Sequence, residues 1–436
     1  MGITNLISEQ IHASVDIDKK QKLMGLARKS LIDYLASIEL SKNQPAVVSL
    51  ANQLSTSIER LPLTSQLDAV PIERAALING FGSHYLDYDD VQANLRGHPS
   101  SVIFSALFAA AHDDDTVEQI LWSYIEGVEF AGKLGKQIQP AHTNAGWHST
   151  GTVGTLAAAA AISVLRKLSI QETTDIISIA SSQASGMRYQ FGTNTKPLHA
   201  GLAARNAVTA YLIVKAGLST NEEPLNNDNG WAKTLHDIEI TKEVYTNWLL
   251  PAEIESPGIW YKQHQFCSAA ISSYDAAKQL TTQGFDLENV DKIIIHFPKG
   301  GDKALIYRIP ETGQQGKFSP EYIIWQVFTH GDVYQKDFDD NPIDEEFKLA
   351  SDKFERKNDL PQTDVNARPV ILEYVSNTHN EKIRVDYPKG SPNNPLTSNE
   401  LFNKLESSFT TKAKALIEVI NRRNALITEV NQIINN

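Results

Sequence analysis

The longest apolar stretch of the chain runs from Val153 to Leu165 and carries five consecutive alanines, Ala157–Ala161. Alanine is the strongest helix former, so the stretch predicts a helix. It is too short to cross a bilayer, which takes about 20 apolar residues, and Thr155 and Ser163 interrupt it. A helix apolar on every side must be surrounded by protein, and that requires other helices close by.

The flanking sequence supplies them. Gln21–Leu40 places Leu23, Leu26, Leu31, Leu35 and Ile38 near helical spacing. Ala75–Leu86, Val102–Ala111 and Val117–Leu134 continue the pattern. Ser169 and Glu172 form a capping box. Ala203–Ala216 reads as a further Ala-rich helix, stopped at Gly217. Small residues on these faces allow close backbone approach, so a compact bundle is expected over the first half of the chain.

The texture changes beyond about residue 260. Lys292–Phe297 is rich in Ile and ends at Pro298-Lys-Gly-Gly, a strand and a turn. Val370–Val375 and Lys382–Tyr387 are strand candidates joined by the loop Ser376–Asn380, with helices expected near Ser268–Leu280 and Pro320–Phe328. Thr397 and Glu400 make another capping box, after which Leu401–Ile434 returns to helix. The expected fold is mainly α with an α+β second domain. A large all-helical domain would take 1–262 and 397–436 from both chain ends. A smaller α+β lid domain would take 263–396, with the active site in the cleft between them.

A chain of 436 residues is long enough for two cores. Its net charge of -12 argues against a nucleic-acid binder, though a local cationic pocket for a small anion is compatible with it. Cys267 is the only cysteine, so no intrachain disulfide can form. No basic segment followed by an apolar core stands at the N-terminus. A cytoplasmic protein without membrane attachment is the default expectation.

Against this bland background stand clusters of ionisable residues. His84-Tyr-Leu-Asp87-Tyr-Asp89-Asp90 is followed by Gly97-His98-Pro99-Ser100. Steps of three put His84, Asp87 and Asp90 on one face if the helix continues. An acidic run alone would be a solvated helix end, but Gly97 and Pro99 constrain the backbone around His98. Gly146-Trp147-His148-Ser149-Thr150-Gly151 precedes the buried helix, where backbone N–H groups attract anions. In Thr195-Lys196-Pro197-Leu198-His199, the proline predicts extended backbone at Lys196, which could project its ammonium toward a carboxylate. Arg188 could add a bidentate clamp. Asp90, Thr195, His199, Lys262, Tyr307 and Lys317 are further candidates for holding substrate. Cys267 reads better as an inert thiol than as a nucleophile. Clustered Asp and His also invite a metal, but no HExxH, EF-hand or zinc-finger spacing is present. There is no P-loop and no complete dinucleotide fingerprint.

In this order, the motifs at 84–90, 97–100, 146–150 and 191–201, with Lys317-Phe-Ser, resemble the MmgE/PrpD family over essentially the whole chain. That family includes dehydratases, decarboxylases and epimerases of small polycarboxylates. The resemblance implies a helical domain with an α+β lid, a homodimer, and no metal or organic cofactor. It assigns Asp87, His98, His148 and Lys196 to active-site positions. Val91 stands where the family often has Thr, and Gln263-His-Gln-Phe-Cys267 departs from the usual segment. The expected activity is a metal-independent lyase or isomerase working by proton transfer next to a carboxylate. Dehydration of a 2-hydroxy polycarboxylate ranks first, with decarboxylation or epimerisation as alternatives. A metal-dependent helical hydrolase and a non-catalytic carboxylate-binding protein are remoter readings.

Overall fold

The computed structural model describes residues 2–54 and 70–435. These divide into two units. One comprises Met1–Tyr189, Asn194–Ile259 and Thr397–Asn436, and the other Gln190–Thr193 with Trp260–Leu396. The chain is mainly helical with a small mixed sheet, as the residue pattern predicts.

The helical unit is organised around Thr152–Leu165, whose alanines are fully buried. Neighbouring helices include Ile17–Ser41, Ile72–Tyr85, Pro99–Ala110, Val117–Ile138, Ile170–Gln183 and Thr195–Lys215. The capping boxes at Ser169/Glu172 and Thr397/Glu400 are formed, and Thr116/Gln119 makes another that the sequence reading missed. The return expected over 401–434 is three helices, Ser398–Phe409, Ala413–Asn421 and Ile427–Asn435. No helix among the described residues is long and apolar enough to cross a membrane.

Two close approaches decide where the chemistry falls. A Cβ on Gly201 would lie 2.3 Å from the Leu77 carbonyl oxygen, and one on Gly80 would lie 2.7 Å from Gly201 Cα. Ile72–Tyr85 and Thr195–Lys215 therefore cross backbone against backbone. This sets the end of the first helix beside the start of the second.

A second buried polar region holds the irregular segment after residue 246. Glu129 accepts from the Leu249 and Glu253 backbone N–H groups at 2.6 Å each. Glu253 accepts from Gln92 Nε2 at 3.0 Å and Asn94 Nδ2 at 2.7 Å, and pairs with Lys136. Glu126 accepts from the Trp248 indole at 2.7 Å.

In the other unit, Lys292–Pro298 runs parallel to Phe354–Leu360 and antiparallel to Val370–Val375, which pairs with Asn380–Val385. Ile293, Ile295, Leu372 and Val370 pack with residues of the helices Ile271–Thr282 and Pro320–His330. The edge strand Phe354–Leu360 is absent from the sequence expectation. It reads Phe-Glu-Arg-Lys-Asn-Asp-Leu and lacks apolar alternation. A charged edge discourages pairing with other chains.

Candidate active site

The acidic run does not continue the helix. Helix Ile72–Tyr85 ends one residue past His84, and Asp87 takes the left-handed conformation at φ 54°. The shared face expected for His84, Asp87 and Asp90 is thereby broken. Such a conformation is uncommon for a residue with a side chain and is often found at functional sites. The turn sends Asp87 and Asp89 one way and Asp90 another. Asp90 accepts from Ser100 Oγ at 2.6 Å, Ser100 N–H at 3.2 Å and Tyr124 Oη at 3.3 Å. Burial first, then the charge of Asp33, raises its pKa well above the carboxylate range. Asp90 thus serves as an internal brace, in place of the substrate contact expected from sequence.

Asp89 lies within an imidazole pair. His84 Nδ1 donates to it at 2.9 Å, Ser101 Oγ donates at 2.5 Å, and His98 Nδ1 is 3.3 Å away. Burial opposes its charge, but the two imidazoles outweigh burial and hold its pKa well below the usual range. Burial takes His84 down to about 3 against the attraction of Asp89, with Lys196 and His98 adding to the depression. Burial thus favours the neutral ring, and the contact with Asp89 places its proton on Nδ1. Its Nε2 is buried without a hydrogen-bond partner among the described residues. His98 links the two acids, because its Nε2 lies 3.6 Å from Asp87 Oδ1. Each of its N–H groups would face a carboxylate in the protonated form.

Lys196 lies on the second helix of the glycine crossing and donates to Asp87 at 2.8 Å. It stands in the first turn of Thr195–Lys215, where extended backbone was expected. Pro197 is tolerated there because first-turn N–H groups lack intrahelical partners. Thr195 is the first residue of the same helix.

The His148 loop joins the group through backbone contacts. His98 N–H donates to Thr150 Oγ1 at 3.2 Å, and a Cβ on Gly97 would lie 3.0 Å from the Thr150 nitrogen. His148 N–H donates to the Gly186 carbonyl at 3.0 Å. Its ring stands 6.1 Å from that of His84, between centroids. His148 Nδ1 lies 3.0 Å from His199 Nδ1. Burial lowers both imidazoles, His148 strongly and His199 to about 4, with neighbouring positive groups adding to it. With both neutral, one Nδ1 donates and the other accepts, so the tautomers of His148 and His199 are coupled. His199, expected from the sequence to hold substrate, thus stands against His148.

Support comes from the C-terminal return. Lys404 donates to Asp33 Oδ1 and to the Tyr88 carbonyl, each at 2.6 Å, which pins the loop carrying Asp87 and Asp89. Arg188 donates to the Thr143 carbonyl at 2.8 Å.

The structure thus brings Asp87, His98, His148, Lys196 and His199 together. It adds His84 and Asp89, which lie in the motif at 84–90. Lys262, Tyr307 and Lys317 belong to the other unit. Lys262 is buried, Lys317 donates to Gln314 Oε1 at 2.9 Å, and Tyr307 Oη donates to the Phe191 carbonyl at 3.0 Å.

One metal-compatible group is present among the described residues. His84, Asp87, Asp89 and His98 each offer one ligand atom, all within 4.8 Å of one another. The Lys196 ammonium already pairs with Asp87 and would compete with a metal for it.

The MmgE/PrpD N-terminal domain matches residues 10–242, and the MmgE/PrpD C-terminal domain matches residues 264–424. A cis-aconitate decarboxylase of Mus musculus is 24% identical over 371 residues, covering 79% of this chain and 65% of that protein. A cis-aconitate decarboxylase of Homo sapiens is 30% identical over 168 residues, or 37% of this chain and 35% of its own length. A cis-aconitate decarboxylase-like protein of Aspergillus oryzae is 25% identical over 378 residues, covering 77% of this chain and 76% of that protein. The chain belongs to the MmgE/PrpD family.

Proposed function

We propose that this protein is a lyase that acts on a small polycarboxylate by proton transfer next to a carboxylate, with no organic cofactor or metal. One observation carries the reading. An ammonium, Lys196, shares a buried cluster with imidazoles, His84, His98 and His148, around the acids Asp87 and Asp89. Lys196 supplies the charge that binds a carboxylate and stabilises negative charge developing beside it. His98, with a carboxylate facing each ring nitrogen, serves as the acid. His148 and the bare Nε2 of His84 serve as bases.

Two reactions fit this set. In decarboxylation, the bond to the departing carboxyl carbon breaks and carbon dioxide leaves. The electron pair spreads onto the neighbouring carboxylate, and His98 returns a proton to carbon. In dehydration, an imidazole base takes the proton from carbon, and His98 protonates the departing hydroxyl. The sequence reading ranks dehydration first. The names of the relatives support testing decarboxylation beside it. We extend the proposal to a homodimer, which light scattering on the purified chain would check.

The test is incubation in D2O with a panel of di- and tricarboxylates, with and without EDTA, followed by proton NMR. Deuterium incorporation or product formation that ignores EDTA supports the reading, and the product names the reaction. Activity lost to EDTA and restored by a divalent ion would favour a metal at His84, Asp87, Asp89 and His98 instead. Full turnover in both His98→Ala and His148→Ala would overturn the residue assignment.

A further inference from the structure

Arg96 and Arg188 come from loops far apart in sequence and meet at Thr143. Arg96 Nη1 reaches Thr143 Oγ1 at 3.5 Å, and Arg188 Nη1 donates to the Thr143 carbonyl at 2.8 Å. Arg96 stands at the tip of the turn closed by Gln92 and Gly97, with φ 54°. No carboxylate among the described residues pairs with Arg96. Arg96 is an exposed residue, and partial desolvation and then the charge of Arg188 lower its pKa. A protein of net charge -12 has no general need for adjacent guanidiniums, and an anion between them would relieve their repulsion.

Their position relates them to the proton-transfer cluster. Arg96 precedes His98 by two residues, a contour of at most about 7 Å. The Arg188 N–H donates to the Gly146 carbonyl, and the His148 N–H donates to the Gly186 carbonyl. Each arginine therefore rides on a loop that also fixes an acid/base imidazole. Guanidinium forks match the planar oxygens of a carboxylate better than a lysine does.

We propose that Arg96 and Arg188 form an oxyanion subsite that takes the remote carboxylate of the polycarboxylate, while Lys196 holds the carboxylate beside the reacting carbon. This rests on the lyase reading for its substrate and extends it with a second anchor. The subsite selects molecules with carboxylates at two separated positions, and it draws an anion toward an otherwise acidic protein. Inorganic phosphate shares the oxyanion chemistry and is the competing occupant.

The experiment is calorimetric titration of the full chain with citrate, acetate and phosphate at two salt concentrations. It compares wild type with Arg96→Asn and Arg96→Lys. Asparagine suits the left-handed backbone at this position, and matched thermal unfolding curves show that the fold is kept. Loss of one charge-assisted contact should weaken citrate binding by at least about tenfold. The same change should flatten its salt dependence and leave acetate unchanged, and Arg96→Lys should recover part of the affinity. Equal citrate affinity in wild type and Arg96→Asn overturns the subsite, as does a wild type that does not bind citrate. Phosphate binding that depends on Arg96 and is not displaced by citrate overturns the carboxylate assignment. Deuterium exchange in the same samples separates the two proposals. Exchange that persists in an Arg96→Asn chain with wild-type affinity sinks the subsite alone. Citrate binding that depends on Arg96, with no exchange on any compound, sinks the lyase reading alone.

Discussion

Asp87 and Asp89 are buried among imidazoles and an ammonium, whereas Glu129 and Glu253 are buried among backbone and side-chain amides, with Lys133 and Lys136 as their charged partners. Both groups lie in the helical unit, and both have their charge compensated. Glu129 receives backbone N–H donors that never leave. It ties Leu249 and Glu253 in place, with Lys133 Nζ 3.4 Å from its Oε1. Asp89 accepts from His84 and faces His98, imidazoles that can each give or take a proton. A buried acid becomes reactive through the ionisability of its partners. Burial alone makes it a fastener.

This contrast predicts opposite effects of mutation. The largest is expected at Lys196→Met, which should lower turnover on the true substrate by roughly 1,000-fold. Near-normal deuterium exchange in that variant would break the comparison, because the ammonium would then be as structural as the glutamates. Glu129→Ala should do the reverse. It strands the N–H groups of Leu249 and Glu253, at about 1–3 kcal/mol each. Urea unfolding should show a loss of about 3 kcal/mol, with exchange per folded molecule close to wild type.

The smallest effect is in the pH dependence of stability, where the two regions slope oppositely. His84 and His199 titrate at about 3 and about 4 in the fold, below the unfolded value of 6.5. The unfolded chain therefore binds more protons in that window, and stability falls as pH drops from 6.5 toward 4. Burial lifts Glu126 from 4.5 to about 8, Trp248 opposing and Glu129 reinforcing. Here the folded chain binds more protons, so stability falls as pH rises from 4.5 to 8. Thermal unfolding of wild type and Glu126→Gln across this range isolates the second slope. Parallel curves would show that Glu126 contributes none.

Much of the site was legible as motif. Asp87, His98, His148 and Lys196 were singled out by sequence, and three-dimensional contacts bring them together. What misled was local geometry. Spacing put Asp90 beside Asp87, but the left-handed turn at Asp87 sends Asp90 to Ser100 and Tyr124. The rule for residues before proline made Lys196 extended, yet the helix starts one residue earlier because a first turn can lack N–H donors. Nothing local reveals that His199 pairs with His148, 51 residues away. Strand Phe354–Leu360 was missed because its charged sequence carries the protection an edge needs and no alternation.

By itself, the sequence determined the class of structure and the inventory of chemistry. Helical periodicity, capping boxes and the alanine run are short-range, since they depend on residues within a turn or two. Tertiary structure decided which ionisable groups face one another. The Gly80–Gly201 crossing sets Lys196 against Asp87, 109 residues away in sequence, and Lys404 reaches back to Asp33 and Tyr88. Proton affinity follows from those distances and from burial, which exist only once the backbones have packed.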